Sequence, residues 1–579
     1  MACNAVIVTS FLRTYRRAYK EPNGRLLTYL PQNFLTFRSS YRFRHTPRVA
    51  EYIIKSPYSD VTIPKYSLAE FVWKDSHKWQ DKVALECSLT GRKFTYSQAK
   101  DATFRFAGAL KKTLKGGPDT KYVTALILSN CPEYAPAFLG ASHAGMIVTT
   151  VNPNYTAEEM CRQMRDSGTT HIITDMYNYK VVNEAVKRLK DVKVPLTVIF
   201  IGTQTPEGTL SFQEMVSSGS WDDLKNTDDF DVEETVVMPY SSGTTGLPKG
   251  AMLSHRNIVA NIVQGCHKDL TLCQPTSEQH QEVLLAVIPF FHIYGMVVVL
   301  LSKLAVGAKI ASLLYLVPPL LLFLTTHPGA NEKSLQSLRT IMSGAAPLGA
   351  MDVERFLHKV KTDVAVLQGY GMTESSPMVA HQSLHSKGRR NYASVGQILP
   401  NTLVKIIDLD SKASLGPMKR GELCVKGPQV MKGYLNKPEE TKKIIDRDGW
   451  LHSGDIAYYD ENQSFFIVAP VELEEILRSH PAVENAGVVG IPHPRSGEVP
   501  RAFVVLKKNA VDARESDLRK WVAERVAPYK RLDEGGVVIV DSLPVSPSGK
   551  ILRRQLRDAV GAAVSGSGAA GAGPGAWGD

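Results

Sequence analysis

The sequence predicts an α/β protein whose large domain contains a parallel sheet covered by helices. Short apolar runs alternate with helix-like segments from about residue 65, and the pattern is clearest between Val123 and Asp175. Parallel strands need a crossover connection, usually a helix, so this alternation favours a parallel sheet. With 579 residues, 43% hydrophobic and 22% charged, the chain has the length and composition of a globular protein of several domains.

These elements follow one another in a β-α-β-α-β order. The run VTALILS is apolar and bounded by polar residues, as is typical of a buried strand. The second helix ends at Gly168, and glycine is common where a helix stops. The predicted elements are a strand over 123–129, a helix over 132–145, a strand over 146–153, a helix over 157–168 and a strand over 170–175.

The most apolar stretch, residues 311–326, is predicted to form a buried strand and then a buried helix. It is shorter than the roughly 20 residues of a transmembrane helix. It also contains Pro318 and Pro319, which would break such a helix. No transmembrane segment is therefore expected.

A second, smaller domain is predicted after Asp455, with a boundary near the turn at 458–460. Its elements are a helix over 471–479, strands over 486–491 and 501–508, a helix over 515–526 and a strand over 536–541. This mixture is typical of a compact α+β domain. The predicted division is an N-terminal extension (1–48), a large domain (49–457), a small domain (458–560) and an Ala/Gly-rich tail (561–579).

Most of the net charge of +11 lies in the N-terminal extension. Residues 1–50 contain eight Arg, one Lys and one acid, Glu21, so the remainder is nearly balanced and no nucleic-acid partner is expected. An Arg-rich, acid-poor start predicts a mitochondrial transit peptide. Cytosolic and peroxisomal locations are the alternatives, although the chain does not end in Ser-Lys-Leu. The seven cysteines show no metal-binding spacing, which predicts reduced and mostly buried thiols.

The strongest motif is YSSGTTGLPKG, from Tyr240 to Gly250. Its hydroxyl groups and backbone N–H groups can surround phosphate oxygens, and Lys249 adds a positive charge. The Walker pattern G-x4-G-K-[ST] does not fit it. The motif therefore predicts a phosphate-binding loop rather than a flexible Gly/Ser turn.

This loop resembles the phosphate loop of the adenylate-forming enzymes, which include acyl-CoA synthetases, 4-coumarate–CoA ligases and beetle luciferases. Other segments resemble that family's motifs in the expected order, over about residues 50–560. They are FFHIYGM (290–296), SGAAPLG (343–349), QGYGMTE (368–374), HSGD (452–455) and PVSPSGKILRR (544–554). The resemblance implies layered α/β sheets with a small distorted barrel in the large domain, followed by a small α+β lid.

The resemblance also implies a nucleotide site. Lys249 and the threonines near it would hold the β- and γ-phosphates, and Thr373 would contact the α-phosphate. Tyr370 offers an aromatic face to adenine, and Asp455 is suited to accept hydrogen bonds from two ribose hydroxyls. The residues implied to bind ATP or AMP are Ser241, Ser242, Gly243, Thr244, Thr245, Gly246, Lys249, Gly344, Ala345, Ala346, Gln368, Gly369, Tyr370, Gly371, Thr373, Asp455 and Lys550.

Four residues are implied to be catalytic. Glu374 and Thr244 would hold Mg²⁺, a hard cation that takes oxygen ligands. Lys550 would bridge the carboxylate and the α-phosphate, and His292 would shape the acyl pocket and the path of the thiol. The residues implied to line that pocket and path are His292, Tyr294, Gly344 and Gly369.

Two regions are shorter than the family pattern. FFIV (465–468) runs directly into Ala469, without the about 14 residues that carry the family's hinge between half-reactions. A helix of roughly 18 residues with its flanks is also missing between GAKIASL (307–313) and LYLVPP (314–319). The missing hinge predicts that adenylation survives in part and that the thioester step is impaired.

We therefore predict an ATP- and Mg²⁺-dependent ligase that joins an aromatic or fatty carboxylate to CoA through an acyl-AMP intermediate. Its partners would be these small molecules. One alternative is a luciferase-like monooxygenase that uses the same adenylate. Phe291 stands where beetle luciferases usually have a second His, which favours the ligase. The other alternative is an inactive ATP-binding relative, which the missing hinge supports.

Overall fold

The computed structural model describes most of the chain after residue 50. The N-terminal extension and the Ala/Gly-rich tail lie outside the described residues. The described residues are 51–115, 120–189, 196–224, 230–241, 248–274, 276–309, 313–345, 348, 350–361, 363–385, 390–409, 411–467, 471–493, 497–508, 510, 513–525, 531–533, 535–545, 551–553 and 555–559.

The strands are numbered in chain order. In the first half of the described chain they are β1 (Ile54–Lys55), β2 (Val83–Glu86), β3 (Lys93–Thr95), β4 (Val123–Ile127), β5 (Ile147–Thr150), β6 (His171–Asp175), β7 (Thr197–Ile201), β8 (Leu210–Ser211), β9 (Thr235–Val237), β10 (Tyr240–Ser241), β11 (Lys249–Ser254) and β12 (Leu284–Leu285). In the second half they are β13 (Leu313–Leu316), β14 (Thr340–Ser343), β15 (Ala365–Gly371), β16 (Met378–His381), β17 (Gln397–Ile398), β18 (Leu403–Ile407), β19 (Gly421–Lys426), β20 (Gly433–Tyr434), β21 (Leu451–Tyr459), β22 (Phe465–Ile467), β23 (Val483–His493), β24 (Gly497–Leu506) and β25 (Val537–Ile539).

The helices are numbered in the same way. They are α1 (Leu68–Trp73), α2 (Tyr96–Thr113), α3 (Tyr134–His143), α4 (Ala157–Ser167), α5 (Met176–Arg188), α6 (Phe212–Ser218), α7 (His255–Gly265), α8 (Ser302–Leu304), α9 (Pro318–Thr326), α10 (Glu332–Leu335), α11 (Ala350–Val360), α12 (Pro438–Ile444), α13 (Val471–Arg478) and α14 (Glu515–Ala523). A π-helix over Tyr294–Leu301 precedes α8, and short 3₁₀ turns cover Ser76–Trp79, Trp221–Leu224 and Thr373–Ser375.

The first large sheet confirms the predicted parallel arrangement. Its order is β10-β11-β9-β5-β4-β6-β7-β8, with β20 also paired to β11, and the pairs from β9 to β8 are parallel. Successive residues of a strand face opposite sides, so Leu126 packs toward α2 and α3 while Ile127 packs toward α4 and α5. Thr156 caps the start of α4, and Gly168 ends it with φ of +67°. The predicted strands and helices of this region are confirmed.

The second large sheet has the order β12-β13-β14-β15-β16-β17. Its first four strands are parallel, and β16 and β17 are antiparallel to their neighbours. The predicted strand and helix within 311–326 are confirmed as β13 and α9. Leu321 of α9 and Phe356 of α11 are buried against strand residues such as Ile341 and Val366, so this sheet is also covered by helices.

The third sheet is antiparallel, with the order β1-β18-β19-β21-β22, and it corresponds to the predicted small barrel. Strand β22 pairs with β21, and Phe465 also bridges to Gly396 beside β17. The sheet therefore continues past residue 458, where the sequence analysis starts the small domain. The reason is that Phe465 is a buried core residue of this sheet.

The C-terminal region is an α+β unit, as predicted. Strands β23 and β24 form a long antiparallel pair, and β25 lies parallel to β24. The pair is longer than the predicted strands at 486–491 and 501–508. Leu477 of α13 and Leu518 of α14 pack on the sheet with Val488 and Val504, which gives the unit its own core.

None of the helices in the described part of the chain combines the length and the apolar character that a bilayer-crossing segment requires. The six cysteines that the structure describes are free thiols, and three of them are buried.

Candidate active site

Two strands hold the ends of the predicted phosphate loop. Tyr240 of β10 lies opposite Gly250 of β11, and Ser241 lies opposite Lys249. A Cβ at position 250 would lie 3.0 Å from the Tyr240 ring, so glycine lets that ring cross the pair. The Tyr240 hydroxyl donates to Asp166 Oδ2 at 2.7 Å. The predicted loop ligands that lie outside the described residues are Ser242, Gly243, Thr244, Thr245 and Gly246.

Lys249 is held by a carboxylate that is not among the predicted site residues. Its ammonium lies 2.6 Å from Glu440 Oε2 and 5.2 Å from the centre of the Tyr434 ring. Hydrogen bonds from Lys249 and Lys443 lower the pKa of Glu440 to about 2, so this carboxylate is ionised at neutral pH. An anionic ligand at Lys249 would therefore compete with Glu440.

Glu374 is joined to the same hairpin by hydrogen bonds. Its Oε1 accepts from the Ser241 hydroxyl at 2.9 Å and from the Tyr434 hydroxyl at 2.6 Å. Burial and the charge of Glu374 raise the pKa of Tyr434, so this phenol remains a donor. The buried carboxylate is thereby fixed beside the end of the phosphate loop.

A β-bulge brings Asp455 to Tyr370. Strand β21 carries extra residues opposite the segment of β19 between Glu422 and Cys424, and such a bulge redirects side chains. The Tyr370 hydroxyl donates to Asp455 Oδ2 at 2.7 Å. Burial and the nearby Asp455 raise the pKa of Tyr370, so the donor stays protonated. Two residues predicted to bind the nucleotide, 85 positions apart, are thus in contact.

Three residues predicted for the acyl pocket also meet. A Cβ at Gly344 would lie 3.4 Å from the Tyr294 ring and 3.6 Å from the Gly369 carbonyl oxygen. The Tyr294 hydroxyl donates to the Met342 carbonyl at 3.0 Å. A Cβ at Gly369 would fall 2.5 Å from the end of the Met342 side chain. Both glycines therefore keep the backbone close to a buried ring and a buried sulphur side chain.

The side-chain amide of Gln368 is engaged with backbone groups. Its Oε1 accepts from the Leu348 N–H at 3.2 Å, and its Nε2 donates to the carbonyls of Leu348 (3.0 Å) and Tyr392. Gln368 thereby fixes the end of the SGAAPLG segment, which is a positioning role. Within that segment Ala345 has φ of +68°, and Ala346 lies outside the described residues.

His292 and Thr373 line one small cavity next to the first sheet. His292 Nδ1 accepts from the Tyr294 N–H at 3.3 Å, which orients the ring. Ahead of Thr373, a Cβ at Gly371 would lie 1.9 Å from the Pro377 carbonyl oxygen. Only glycine allows the backbone to turn this tightly into the segment that carries Thr373.

Lys550 lies outside the described residues, and both ends of its loop are held. Val545 bridges to Ile551, and the Leu552 N–H donates to the Pro544 carbonyl at 2.8 Å. In the next residue, Arg553 Nη2 lies 2.8 and 3.1 Å from the two carboxylate oxygens of Glu474 on α13. The residues that flank the predicted catalytic-lysine loop are therefore held by contacts within the small domain.

Of the two short regions, only the predicted hinge gap falls on residues outside the description. Strand β22 ends at Ile467 and helix α13 begins at Val471, and residues 468–470 lie between them. The other junction, between Leu313 and Leu314, lies inside β13, and both residues pair with β14. The structure therefore does not test the prediction that a hinge is missing.

The fold and these contacts define a two-domain enzyme with a phosphate-loop hairpin, a buried carboxylate beside it and a lysine loop on the smaller domain. The sequence profile of the AMP-binding enzyme family matches residues 72–435, and the profile of the AMP-binding enzyme C-terminal domain matches residues 472–550. The chain belongs to this family of adenylate-forming enzymes, as its motifs predicted.

Its relatives are CoA ligases. The chain is 35% identical over 555 residues to 4-coumarate–CoA ligase 3 of Arabidopsis thaliana, a match that covers 88% of this chain and 94% of the relative. It is 38% identical over 553 residues to 4-coumarate–CoA ligase-like 1 of the same plant, covering 88% and 97%. Because 88% of this chain is fewer than 555 residues, the first relative has residues at positions where this chain has none.

A solved structure gives the same picture. ATP-bound MatB from Rhodopseudomonas palustris superposes with a TM-score of 0.72 at 26% identity, over 85% of this chain and 98% of that one. This match confirms the predicted fold, with layered α/β sheets in a large domain and a small C-terminal domain. Together with the relatives, it identifies an adenylate-forming enzyme of the acid–thiol ligase type.

Proposed function

We propose that this chain is an ATP- and Mg²⁺-dependent ligase that converts an aromatic or fatty carboxylate to its CoA thioester through an acyl-AMP intermediate. The observation that carries the proposal is the group around the phosphate-loop hairpin. Ser241 and Tyr434 hold the buried Glu374 carboxylate, and Lys249 lies beside Tyr434. A cation and a fixed carboxylate at one end of a phosphate loop suit the binding of a metal–triphosphate.

In the first half-reaction, a carboxylate oxygen of the acid attacks the α-phosphorus of ATP, and pyrophosphate leaves. Both reactants are anions, so positive charge at the reacting centre lowers the barrier. Lys249 would exchange Glu440 for the β- and γ-phosphates, and Lys550 would bridge the carboxylate and the α-phosphate. Asp455 would accept from the ribose hydroxyls while Tyr370 holds its carboxylate in place.

Magnesium would be held by Glu374, with Thr244 as its second protein ligand. Two hydroxyl groups occupy Oε1 of Glu374, and within the described residues no hydrogen bond reaches Oε2. A carboxylate oxygen that no described donor occupies is suited to a hard divalent cation. When bound, the ion would neutralise phosphate charge.

In the second half-reaction, the thiolate of CoA attacks the acyl carbonyl carbon and AMP leaves. The family resemblance implies that the lid turns between the two half-reactions on the hinge that this sequence lacks. We infer that adenylation is retained in part and that thioester formation is the slower step. Aromatic acids should be tested first as substrates, because the relatives named above are 4-coumarate–CoA ligases.

The test is ATP–pyrophosphate exchange by the full chain with 4-coumarate, cinnamate, benzoate and octanoate, followed by detection of acyl-AMP and acyl-CoA by mass spectrometry. Exchange that depends on the acid and on Mg²⁺ is the expected result. Lys249→Met should abolish it, and Lys442→Met, at an exposed lysine on α12, should not. No exchange with any acid would indicate an inactive relative, and light emission with luciferin and O₂ would indicate a luciferase.

We also propose that residues 1–48 direct the chain to mitochondria. The support is their eight Arg against a single acid, a composition typical of transit peptides. Fusion of residues 1–48 to a fluorescent protein should give mitochondrial fluorescence. A fusion in which the eight Arg are changed to Gln is the control and should remain diffuse. Diffuse fluorescence of the unchanged fusion would contradict the proposal.

A further inference from the structure

A group of three side chains on the third sheet has the composition of a metal site. Glu422, Cys424 and His452 each offer one ligand atom, and these three atoms lie within 4.8 Å of one another. Glu422 and Cys424 are two residues apart on β19 and share one face of the strand. Cys424 lies directly opposite His452 of β21. We refer to these three residues as the bulge cluster, because they lie at the bulge between β19 and β21.

Two of the three distances within the bulge cluster fit one tetrahedral ion, and the third lies within 4.8 Å. The Cys424 Sγ lies 3.5 Å from His452 Nδ1, and Glu422 Oε2 lies 3.2 Å from the same nitrogen. Zinc bonds of about 2.3 Å to sulphur and about 2.0–2.1 Å to nitrogen and oxygen would place these pairs about 3.6 and 3.4 Å apart at tetrahedral angles. An ion could therefore enter with only small movements of the side chains.

The surrounding contacts prepare His452 to bind through Nδ1. Its other nitrogen, Nε2, lies 3.5 Å from Asp446 Oδ2. The second oxygen of Asp446 accepts from the N–H groups of Asp448 and Trp450 at 2.9 Å each, so this carboxylate is fixed. A carboxylate that accepts the Nε2 proton leaves the Nδ1 lone pair for a metal, which is the usual arrangement behind a metal-bound histidine.

Glu422 is also oriented by a neighbouring group. Its Oε1 accepts from the Gly454 N–H at 3.2 Å, and its Oε2 faces His452 Nδ1. Without an ion, the alternative is an imidazolium of His452 between the two carboxylates of Glu422 and Asp446. That alternative leaves the buried Cys424 thiol, which lies beside the imidazole, only its packing contacts in the cluster with Ile407 and Trp450.

We propose that the bulge cluster binds a divalent transition-metal cation of the zinc class through Cys424 Sγ, His452 Nδ1 and Glu422 Oε2. Sulphur, imidazole and carboxylate ligands together select such a cation over Mg²⁺. Binding replaces the thiol proton, which leaves to solvent. His452 and Glu422 are partly exposed, at 25% and 15% of their side-chain surfaces, so the ion has an entry path and an open position for water.

The site would act on the nucleotide site through the bulge. Residues 452–455 are the HSGD motif, and Asp455 at its end accepts from Tyr370. Glu422 and His452 hold the start of this motif, so an ion on both would restrain the bulge that presents Asp455. The proposal does not depend on the activity proposed above, because metal uptake is measured without substrate.

The experiment is a titration of the chelator-treated full chain with Co²⁺, followed by absorption spectroscopy. We expect about one equivalent to bind with a thiolate-to-cobalt band, which Zn²⁺ displaces and millimolar Mg²⁺ does not. Cys424→Ser should lose the band. The matched control Cys273→Ser, at another buried thiol, and Glu374→Gln should keep it. Asp446→Asn should weaken binding by about 10- to 100-fold.

A measurement on the unchanged chain covers the case in which Cys424→Ser does not fold. X-ray absorption of the zinc-loaded chain should show one sulphur at about 2.3 Å with nitrogen and oxygen at about 2.0–2.1 Å. A shell of oxygen and nitrogen alone would overturn the proposal. So would the absence of cobalt uptake, which would mean only an imidazolium between two carboxylates. A thiolate band that Cys424→Ser leaves unchanged would also overturn it.

Discussion

The large and the small domain hold their predicted active-site residues in different ways. In the large domain, the polar groups predicted to bind ATP pair with one another or with a neighbour across distant parts of the chain, as in Ser241–Glu374 and Tyr370–Asp455. In the small domain, Arg553, which follows the predicted lysine loop, pairs with Glu474 of the same domain. The predicted phosphate and ribose residues are therefore paired within one domain, whereas the predicted lysine of the adenylation step and the proposed lid rotation of the thioester step involve the small domain.

The largest expected effect tests the large domain. Glu374→Gln keeps the shape of the side chain and removes the charge that would hold Mg²⁺. We expect ATP–pyrophosphate exchange to fall by about 100-fold or more, because charge stabilisation at a phosphoryl centre carries that much of the rate.

The matched control for this variant is Glu439→Gln. Glu439 is an exposed carboxylate on α12 that pairs only weakly with Lys442, so its loss should leave exchange unchanged. If Glu374→Gln retained ATP–pyrophosphate exchange within about threefold of the unchanged chain, the proposed role of the Glu374 carboxylate in adenylation would be refuted.

The next effect tests the connection between the domains. Insertion of the family's hinge segment, about 14 residues, between Val468 and Ala469 should restore the rotation on which the second half-reaction is proposed to depend. We expect acyl-CoA formation to rise by about tenfold or more, with ATP–pyrophosphate exchange within about twofold of the unchanged chain. Single-turnover transfer from preformed acyl-AMP to CoA is the measurement.

A Gly/Ser insertion of equal length separates chain length from hinge chemistry. If it restores transfer as well as the family segment does, length alone was limiting. If neither insertion changes transfer, the missing hinge segment does not limit the second half-reaction of the unchanged chain. The proposed dependence of the thioester step on domain movement would then be wrong for this enzyme.

The two domains also differ in what their sequences reveal. The β-α alternation and the ordered motifs were enough to predict the sheets and the small domain, and the nucleotide-site residues stay predictions. Glu440 and Tyr434 were missed because their roles arise from contacts with Lys249 and Glu374, 191 and 60 positions away. Cys424 and His452 show no metal spacing in the sequence, because only strand pairing brings them together. The domain boundary was placed early because β22, although short, belongs to the third sheet.

A smaller effect concerns the ribose side of the large domain. Tyr370→Phe removes the hydrogen bond to the Asp455 carboxylate and leaves the ring. A hydrogen bond to a charged group contributes about 1.5–3 kcal/mol, so we expect the KM for ATP to rise by about 10- to 150-fold, with kcat nearly unchanged. Tyr459→Phe is the control, because the Tyr459 hydroxyl reaches only the Leu415 carbonyl at 3.4 Å. A fall in kcat at constant KM would place Tyr370 in the chemical step instead.

The smallest expected effect concerns Lys249 and Glu440. Glu440→Gln should lower the KM for ATP by about two- to fivefold, because the phosphates would no longer displace a partly exposed ion pair. The effect should shrink as KCl is raised, since salt screens the pair. The effect on KM should not change between pH 6 and 9, because Glu440, with a pKa of about 2, stays ionised throughout.

Glu439→Gln serves again as the control. A higher KM for ATP in Glu440→Gln would mean that Glu440 orients Lys249 for phosphate instead of competing with it. The ion pair of Lys249 and Glu440 would then persist when ATP is bound.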